Sequence, residues 1–310
     1  MSDKTNNEYT FKPIQSIEFK TKLPAGTALV LEGGGMRGYY TAGVFEGFMQ
    51  HSIMFPYVIG VSAGAANALT YISGQPFRNR QIVEHYAHTK EYVSVLNLIR
   101  YGSMFNRELV FRRIPQKYIY YDYEALKTSP VKFLTGAMDC KTGDAVWFDK
   151  SELTRNLEVT EASCAIPLMA PIVKFKDYEL LDGGIPCPIP IEQSIKDGNK
   201  FHVIVLTQNK GYSKKPFKVN ALAKMKYKKY PNVLETLKKR HEVYARQIAL
   251  CEKLEKEGNA IIIRPLEPLK VGRTTRDKDL LLELYDEGHK ECNDLIPSIL
   301  SKCNIGEIQK

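Results

Sequence analysis

Short apolar runs alternate with stretches of helical character along most of this chain. The runs at residues 28–31 and 58–61 each stop at a glycine-containing turn, and a helix is predicted after each of them, the first over residues 37–51. Five further strands are predicted downstream, at residues 131–138, 145–148, 178–181, 202–206 and 260–263. Strands that alternate with helices favour parallel pairing with both faces covered. The pattern therefore predicts an α/β fold whose central, mostly parallel sheet lies between helices, in three layers.

The domain organisation follows from length and from the C-terminal pattern. A chain of 310 residues with 44% apolar content can bury a large core, which excludes intrinsic disorder and a collagen-like fibre. Residues 232–257 carry apolar side chains at close to helical spacing, typical of a surface-packed helix. We expect a polar N-terminal arm over residues 1–27 and one domain over 28–310. Its core is expected at about 28–208, followed by a basic segment and a helical part over 209–310.

Cysteine spacing and hydropathy indicate the compartment. No two cysteines form a C-x-x-C pair, so neither a zinc knuckle nor a redox motif is predicted, and the thiols are expected to be reduced. The first twenty residues lack an apolar core, and no apolar run is long enough to span a bilayer. A soluble, cytoplasmic protein is the expectation. The six cysteines are Cys140, Cys164, Cys187, Cys251, Cys292 and Cys303.

Most of the excess positive charge is confined to residues 210–229. The net charge of +9 comes from 44 basic and 35 acidic residues, and this segment supplies eight lysines and no acid. Aromatic residues are interleaved with them, a mixture that suits an anionic bilayer, the phosphates and bases of a nucleic acid, or a solvated basic surface. The eight are Lys210, Lys214, Lys215, Lys218, Lys224, Lys226, Lys228 and Lys229.

A glycine-rich loop follows the first predicted strand and fits G-x-G-x-x-G. A dinucleotide site would need an acidic residue about 20 positions later, and residues 53–58 contain none. A phosphate-binding P-loop is excluded because Tyr39, not lysine, follows Gly38. The loop is therefore either a tight turn or an anion site whose backbone N–H groups point outward at a helix start. Its residues are Gly33, Gly34, Gly35, Met36, Arg37 and Gly38.

Two further motifs could supply catalytic side chains. Gly60, Ser62 and Gly64 fit G-x-S-x-G between a predicted strand and helix, a setting that presents a serine hydroxyl on a sharp turn above the sheet. Asp182 directly follows the predicted strand at residues 178–181 and precedes Gly183 and Gly184. This Asp-Gly-Gly sequence is either a plain turn or a site where the carboxylate is open to approach, because the next two residues have no side chain. A serine, a base and an oxyanion loop are the parts that acyl transfer requires.

In this order the three motifs resemble the patatin-like phospholipase family, whose pattern is G-G-G-x-R/K-G, then G-x-S-x-G, then D-G-G/A. The resemblance runs from about residue 28 to at least residue 190 and includes A-S-C-A-I-P at residues 162–167. The run L-E-G-G-G-M-R-G leading into T-A-G-V is most similar to the bacterial, single-domain branch. The resemblance implies a patatin-like fold and a serine esterase that degrades lipids. Ser62 would be the nucleophile, Asp182 its base, and the backbone of residues 33–38 the oxyanion hole.

Three alternatives remain open at this point. A Ser-Asp-His hydrolase would use a histidine downstream of Asp182, and His202 is better placed than His241 or His289, although it stands at the start of a predicted strand. A non-catalytic protein could keep the scaffold to bind a lipid or an anion. Arg37 could assist the oxyanion loop or bind an acidic head group, or it could pair with a carboxylate such as Glu32.

The expected partners follow from the resemblance. A lipid or other ester is the expected substrate, and with it an anionic membrane outranks nucleic acid as the partner of residues 210–229. Peripheral contact with the inner face of the membrane is then expected. No metal and no organic cofactor are expected, because neither calcium-ligand spacing nor a nucleotide fingerprint occurs.

Overall fold

A computed structural model describes residues 14–308, with side chains as far as residue 303. Its main feature is an eight-stranded sheet in the order β10-β9-β2-β4-β5-β8-β7, in which β6 also pairs with β5. The first five of these strands are parallel to one another, and β6, β7 and β8 run antiparallel to their neighbours. The strands are β2 (Thr27–Leu31), β4 (Tyr57–Val61), β5 (Lys132–Asp139), β6 (Ala145–Asp149), β7 (Val173–Phe175), β8 (Tyr178–Asp182), β9 (Phe201–Val205) and β10 (Ala260–Ile263).

Ten α-helices accompany the described strands, and shorter helical turns connect several of them. A 3₁₀ turn, Gly35–Arg37, precedes the first helix, and π-helical stretches cover Val83–Ala87 and Leu109–Tyr118. The helices are α1 (Gly38–Gln50), α2 (Ala63–Ile72), α3 (Arg78–Ile82), α4 (Val95–Tyr101), α5 (Tyr123–Thr128), α6 (Glu158–Ser163), α7 (Ile191–Lys196), α8 (Ala221–Lys226), α9 (Pro231–Lys256) and α10 (Lys278–Ile308).

Side-chain alternation along the strands sorts the core into two faces. Leu29 and Leu31 of β2 pack with residues of α1, α2 and α10, whereas Ala28 and Val30 pack with residues of α7 and α9. Because both faces are covered, the central strands are apolar on both sides, as parallel sheets require. This arrangement confirms the predicted α/β fold with a mostly parallel sheet between helices.

Helices α1 and α10 pack unusually closely, and glycines make this possible. A Cβ on Gly43 would lie 1.9 Å from the Tyr285 carbonyl oxygen, and one on Gly288 would lie 2.1 Å from that of Tyr40. Neither position can accept a side chain without moving a backbone. The contact fixes α10, which the sequence pattern did not delimit, against the helix that follows the glycine-rich loop.

The N-terminal residues that the structure describes are attached to the domain. Two-residue strands β1 (Thr21–Lys22) and β3 (Ile53–Met54) pair in parallel, and the Ile17 N–H donates to the Gly74 carbonyl oxygen at 2.7 Å. Half of the predicted arm, residues 14–27, therefore lies against the fold. Residues 1–13 of the arm lie outside the described residues.

Strand β5 brings the C-terminal ends of strands β4 and β8 together. Val61, the last residue of β4, lies opposite Gly136 of β5, and Asp182, the last residue of β8, lies opposite the next residue, Ala137. Strand β6 occupies the other edge of β5 over the same stretch, so β4 and β8 share one edge. Since β4 and β8 run in opposite directions, their C-terminal ends face each other there.

Candidate active site

Ser62 lies on a sharp turn between β4 and α2. Its backbone has φ 53° and ψ −131°, a conformation that a residue with a Cβ adopts only under strain. A Cβ on Gly60 would lie 2.9 Å from the Ala65 nitrogen, and one on Gly64 would lie 2.7 Å from the Glu32 carbonyl oxygen. The two glycines flanking the serine are thus required by close packing.

Asp182 and Ser62 are in contact. The Ser62 Oγ donates a hydrogen bond of 2.7 Å to Asp182 Oδ2, and both residues are buried, with 5% and 3% of their surface exposed. The Gly184 N–H donates to the other carboxylate oxygen at 2.7 Å, which fixes the carboxylate plane. Gly183 has no room for a side chain because its Cβ would lie 2.1 Å from the Gly136 carbonyl oxygen.

Burial raises the pKa of Asp182 above its ordinary value. The hydrogen bond from Ser62, the positive charge of Arg240 and the Gly184 N–H oppose this effect by stabilising the carboxylate. A raised pKa makes the carboxylate a stronger base than a solvated aspartate, which is what deprotonating an alcohol near neutral pH requires.

Ser163 fixes the backbone of the nucleophile turn. Its hydroxyl accepts a 2.8 Å hydrogen bond from the Ser62 N–H and donates a 2.6 Å bond to the Gly136 carbonyl oxygen. The bridge ties β4, β5 and α6 together at the strained residue. Ser163 belongs to the A-S-C-A-I-P block, but the sequence assigned it no role because the contact depends on tertiary structure.

The glycine-rich loop lies directly against Ser62. A Cβ on Gly33 would be 2.8 Å from Ser62 Cβ, and Gly35 has a positive φ of 59°. The Met36 N–H donates to the Arg273 carbonyl oxygen at 3.1 Å. Met36 is therefore not an available oxyanion donor in this conformation, which corrects the prediction for that residue. The Gly38 N–H faces the carbonyl oxygens of Gly35 and Met36 within the helical turn. Gly33, Gly34, Gly35 and Arg37 remain the candidate donors of the loop.

Arg37 does not form an ion pair with Glu32, which was one of the alternatives for this side chain. Within the described part of the chain, no carboxylate oxygen lies within 4.0 Å of its guanidinium. With the Gln208 amide oriented to satisfy both side chains, its oxygen accepts from the guanidinium, the shortest distance being 2.6 Å. Glu32 instead accepts from the Thr207 N–H at 2.7 Å. The Glu32 carboxylate therefore stabilises the backbone just after strand β9.

The three histidines considered as triad members lie elsewhere. His202 is buried at the opposite end of the sheet, where its Nδ1 lies 3.2 Å from Ser194 Oγ and burial lowers its pKa to about 4. His241 faces a carbonyl oxygen of its own helix, and His289 contacts Gln50. The described structure therefore brings Ser62 together with a carboxylate and none of these imidazoles.

Ser62 stands where two cavities meet. The larger one contains about 700 Å³ of empty space including its open mouth, and its lining is largely apolar. The smaller one has a mixed polar and apolar lining and lies on the Asp182 side of the serine. The apolar side chains around the larger cavity include Met36, Tyr39, Phe105, Val110, Phe111 and Ala170. Three arginines line the smaller cavity: Arg37, Arg240 and Arg273.

No helix in residues 14–308 combines the length and the hydropathy needed to cross a bilayer. In the same residues, no group of histidine, cysteine or carboxylate side chains is arranged to hold a metal ion.

Comparison with known proteins gives the chain a family. It is 32% identical over 203 residues to YjjU, an uncharacterised protein of Escherichia coli K12, across 64% of this chain and 56% of YjjU. The structure of VipD from Legionella pneumophila resembles the fold with a TM-score of 0.51 at 13% identity, over 96% of this chain and 72% of that one. A model for a domain of unknown function, DUF6363, matches residues 230–304. The patatin-like phospholipase model matches residues 29–195, and the chain belongs to that family.

Proposed function

We propose that this protein is a lipid acyl hydrolase that cleaves carboxylic esters with a Ser62–Asp182 dyad. One observation carries the proposal: a buried serine hydroxyl donates to a buried carboxylate at 2.7 Å, at the wall of a largely apolar cavity. An apolar cavity of this kind suits an acyl chain, because transferring methylene groups out of water is favourable. The ester carbonyl would then lie next to the hydroxyl.

The reaction proceeds in two half-reactions. Asp182 takes the Ser62 proton as Oγ attacks the ester carbonyl carbon, and the resulting oxyanion is stabilised by N–H donors of residues 34, 35 and 37. Preorganised donors of this type contribute about 3–4 kcal/mol each in other acyl-transfer sites. The proton passes to the departing alcohol, leaving an acyl-serine. Water then gives a proton to Asp182 as it attacks the acyl carbon. The second oxyanion collapses, the bond to Ser62 Oγ breaks and the fatty acid is released, while Asp182 returns the proton to Oγ and restores the serine.

We expect the purified protein to release fatty acids from a mixed bacterial phospholipid extract, and the His202→Ala and His289→Ala variants to keep most of this activity. Neither histidine contacts Ser62 or Asp182, so a dyad mechanism does not use them. Released fatty acids are quantified by mass spectrometry, and circular dichroism verifies that each variant is folded. Loss of turnover in a folded His202→Ala protein would favour the triad instead. A wild-type protein without any esterase activity would favour a binding role.

We also propose that helices α4 and α8 carry this active site to an anionic membrane. Two apolar side chains of α8 and four of α4 are exposed: Leu222 (55%), Met225 (72%), Val95 (62%), Leu96 (48%), Ile99 (76%) and Tyr101 (62%). Lysines lie among those of α8 and continue after it. Apolar side chains with adjacent lysines suit the boundary between head groups and acyl chains.

Both helices are attached to a segment that lines the apolar cavity. The Leu168 N–H donates to the Tyr227 hydroxyl at 2.9 Å, and Lys226 Nζ donates to the Ala170 carbonyl oxygen at 3.2 Å. On the other side, the Met104 N–H donates to the Met169 carbonyl oxygen at 2.8 Å. Contact of these helices with lipid would therefore place the membrane at the cavity that is proposed to receive the acyl chain.

The paired substitution Lys228→Glu/Lys229→Glu should reduce binding to vesicles containing anionic lipid by about tenfold or more, because each lysine near such a surface contributes roughly 1 kcal/mol. Sedimentation with vesicles of graded anionic content measures the effect. Lys256→Glu is the matched control, since this exposed lysine ends α9 just before the amino end of β10. Equal binding of the wild type to neutral and anionic vesicles would contradict the proposal.

A further inference from the structure

The smaller cavity beside Ser62 is lined by an excess of positive charge. Arg37, Arg240 and Arg273 border it, and Asp182 is its one acidic residue. Arg240 is held in place by a 2.7 Å hydrogen bond from its Nε to the Gly184 carbonyl oxygen, next to the catalytic carboxylate. A fourth basic side chain, Lys214, lies near these arginines, and its Nζ is 4.2 Å from the centre of the Tyr244 ring.

These cations are not neutralised by direct ion pairs. Among the described residues, no carboxylate oxygen lies within 4.0 Å of a charged nitrogen of any of the four. Burial, and after it mutual repulsion, lowers the pKa of Arg240 to about 10 and holds the pKa of Lys214 well below its usual range. Two carboxylates, Glu32 and Asp182, act on the cluster from nearby. Three arginines against two carboxylates leave an excess of one positive charge, and Lys214 adds to it when it is protonated.

Two of the three arginines lie outside the part of the chain that matches the phospholipase family. Arg240 lies on α9 and Arg273 precedes α10, and both fall within residues 230–304, outside the stretch that matches the phospholipase family. The region at residues 230–304, which matches the domain of unknown function, therefore lies next to the dyad and supplies two of the three arginines around the smaller cavity.

We propose that Arg240 and Arg273, together with Arg37, form a subsite for a phosphate monoester on the alcohol side of the scissile ester. The inference rests on the proposed hydrolase function and specifies its substrate class. An ester bound at Ser62 has its acyl chain on one side of the carbonyl and its alcohol on the other, and the two cavities offer an apolar and a cationic surface for these parts. A phosphate monoester carries about −1.5 to −2 at neutral pH, so the excess positive charge of the cluster attracts it.

The lining also disfavours a zwitterionic head group. A choline or ethanolamine phosphodiester carries an ammonium that needs an anionic or aromatic partner. Asp182 is the one carboxylate in the cavity lining, and it is bonded to Ser62. The subsite therefore selects acyl glycerols that end in a bare phosphate, or related acyl phosphate monoesters, over choline esters and neutral glycerides.

Three substrates with the same oleoyl chain test this inference: oleoyl glycerol 3-phosphate, oleoyl glycerophosphocholine and monooleoyl glycerol, each at a fixed fraction in mixed micelles. We expect the wild type to show a kcat/KM at least tenfold higher for the phosphate monoester than for either of the others. Arg273→Gln should reduce this ratio by about tenfold, the discrimination that one charge-assisted contact provides. Arg273→Lys should retain part of it. Arg276→Gln, an exposed arginine of the same loop outside the cavity lining, should leave the ratio unchanged.

A binding measurement separates failure of the subsite from failure of the hydrolase. Decyl phosphate contains no carboxylic ester, and calorimetry should show that it binds the wild type and Arg276→Gln at least tenfold more tightly than it binds folded Arg273→Gln. Equal selectivity ratios in the wild type and Arg273→Gln, with equal decyl phosphate affinities, would overturn the subsite while leaving the hydrolase intact. Absence of hydrolysis of all three esters alongside Arg273-dependent decyl phosphate binding would overturn the hydrolase while supporting the subsite.

Discussion

Replacing Ser62 with alanine is expected to lower kcat for ester hydrolysis by about 10⁴-fold or more, since removal of the nucleophile from other serine hydrolases costs up to about 10⁶-fold. The substitution removes the oxygen that is proposed to form the acyl intermediate, and among residues 14–303 no other hydroxyl donates to Asp182. Fatty acid release from a phospholipid extract measures the loss. Covalent labelling by a fluorophosphonate probe should disappear in parallel, because the probe reacts with an activated serine.

Ser194→Ala provides the matched control for this substitution. Ser194 is also a buried serine, but its hydroxyl contacts His202 at 3.2 Å and lies at the other end of the sheet. The control should keep its fluorophosphonate labelling and its turnover. A folded Ser62→Ala protein that retained a tenth of wild-type activity would contradict the assignment of the nucleophile.

The strands that the sequence predicted accurately are those bounded by glycine or other turn residues. Strand β10 matches its predicted residues, β2 and β4 each begin one residue earlier than predicted, and β9 is shifted by one residue at both ends. Apolar runs of four or five residues identify such strands because both faces of a parallel sheet are buried. The two-residue strands β1 and β3 carry too few positions for any periodicity, and they form only where tertiary packing brings them together.

The sequence predicted those parts of the candidate site that have a local motif. A G-x-S-x-G turn and an Asp-Gly-Gly strand end each have a sequence signature, but their proximity depends on the register of β4 and β8 along β5. That register is set by long-range pairing and leaves no local pattern. Arg240 and Arg273 carry no motif at all, since one is an ordinary residue of a charged helix and the other lies in a loop.

The lysine-rich segment at residues 210–229 also shows that tertiary contacts leave no local pattern in the sequence. From the sequence its eight lysines form one basic stretch, yet the structure turns Lys214 inward, onto the Tyr244 ring and beside the arginines of the smaller cavity. Lys228 and Lys229 stay exposed. The lysines of a charge run therefore do not act as a unit: Lys214 lies by the smaller cavity, whereas Lys228 and Lys229 face solvent.

Asp182→Asn is expected to lower kcat by about 10⁴-fold, the loss seen when the carboxylate of a serine-hydrolase site becomes an amide. The amide has nearly the same shape, and its oxygen can still accept from the Gly184 N–H. It cannot take up the Ser62 proton, so the chemical step fails while substrate binding persists. Steady-state kinetics on monooleoyl glycerol should therefore show a fall in kcat with little change in KM. A Asp182→Asn protein with more than a few per cent of wild-type kcat would exclude the dyad.

The pH dependence of the same reaction tests Asp182 as the base. Only its ionised form accepts a proton, so kcat/KM should rise with pH through the pKa of this carboxyl and fall away on the acid side. Burial raises that pKa, and the charges of Arg240 and Arg273 oppose the rise. Arg240→Met removes a stabilising cation, so the acid limb should move to higher pH when measured on the neutral substrate. Arg276→Gln should leave the limb in place, and an acid limb that moved to lower pH in Arg240→Met would show that another group accepts the proton.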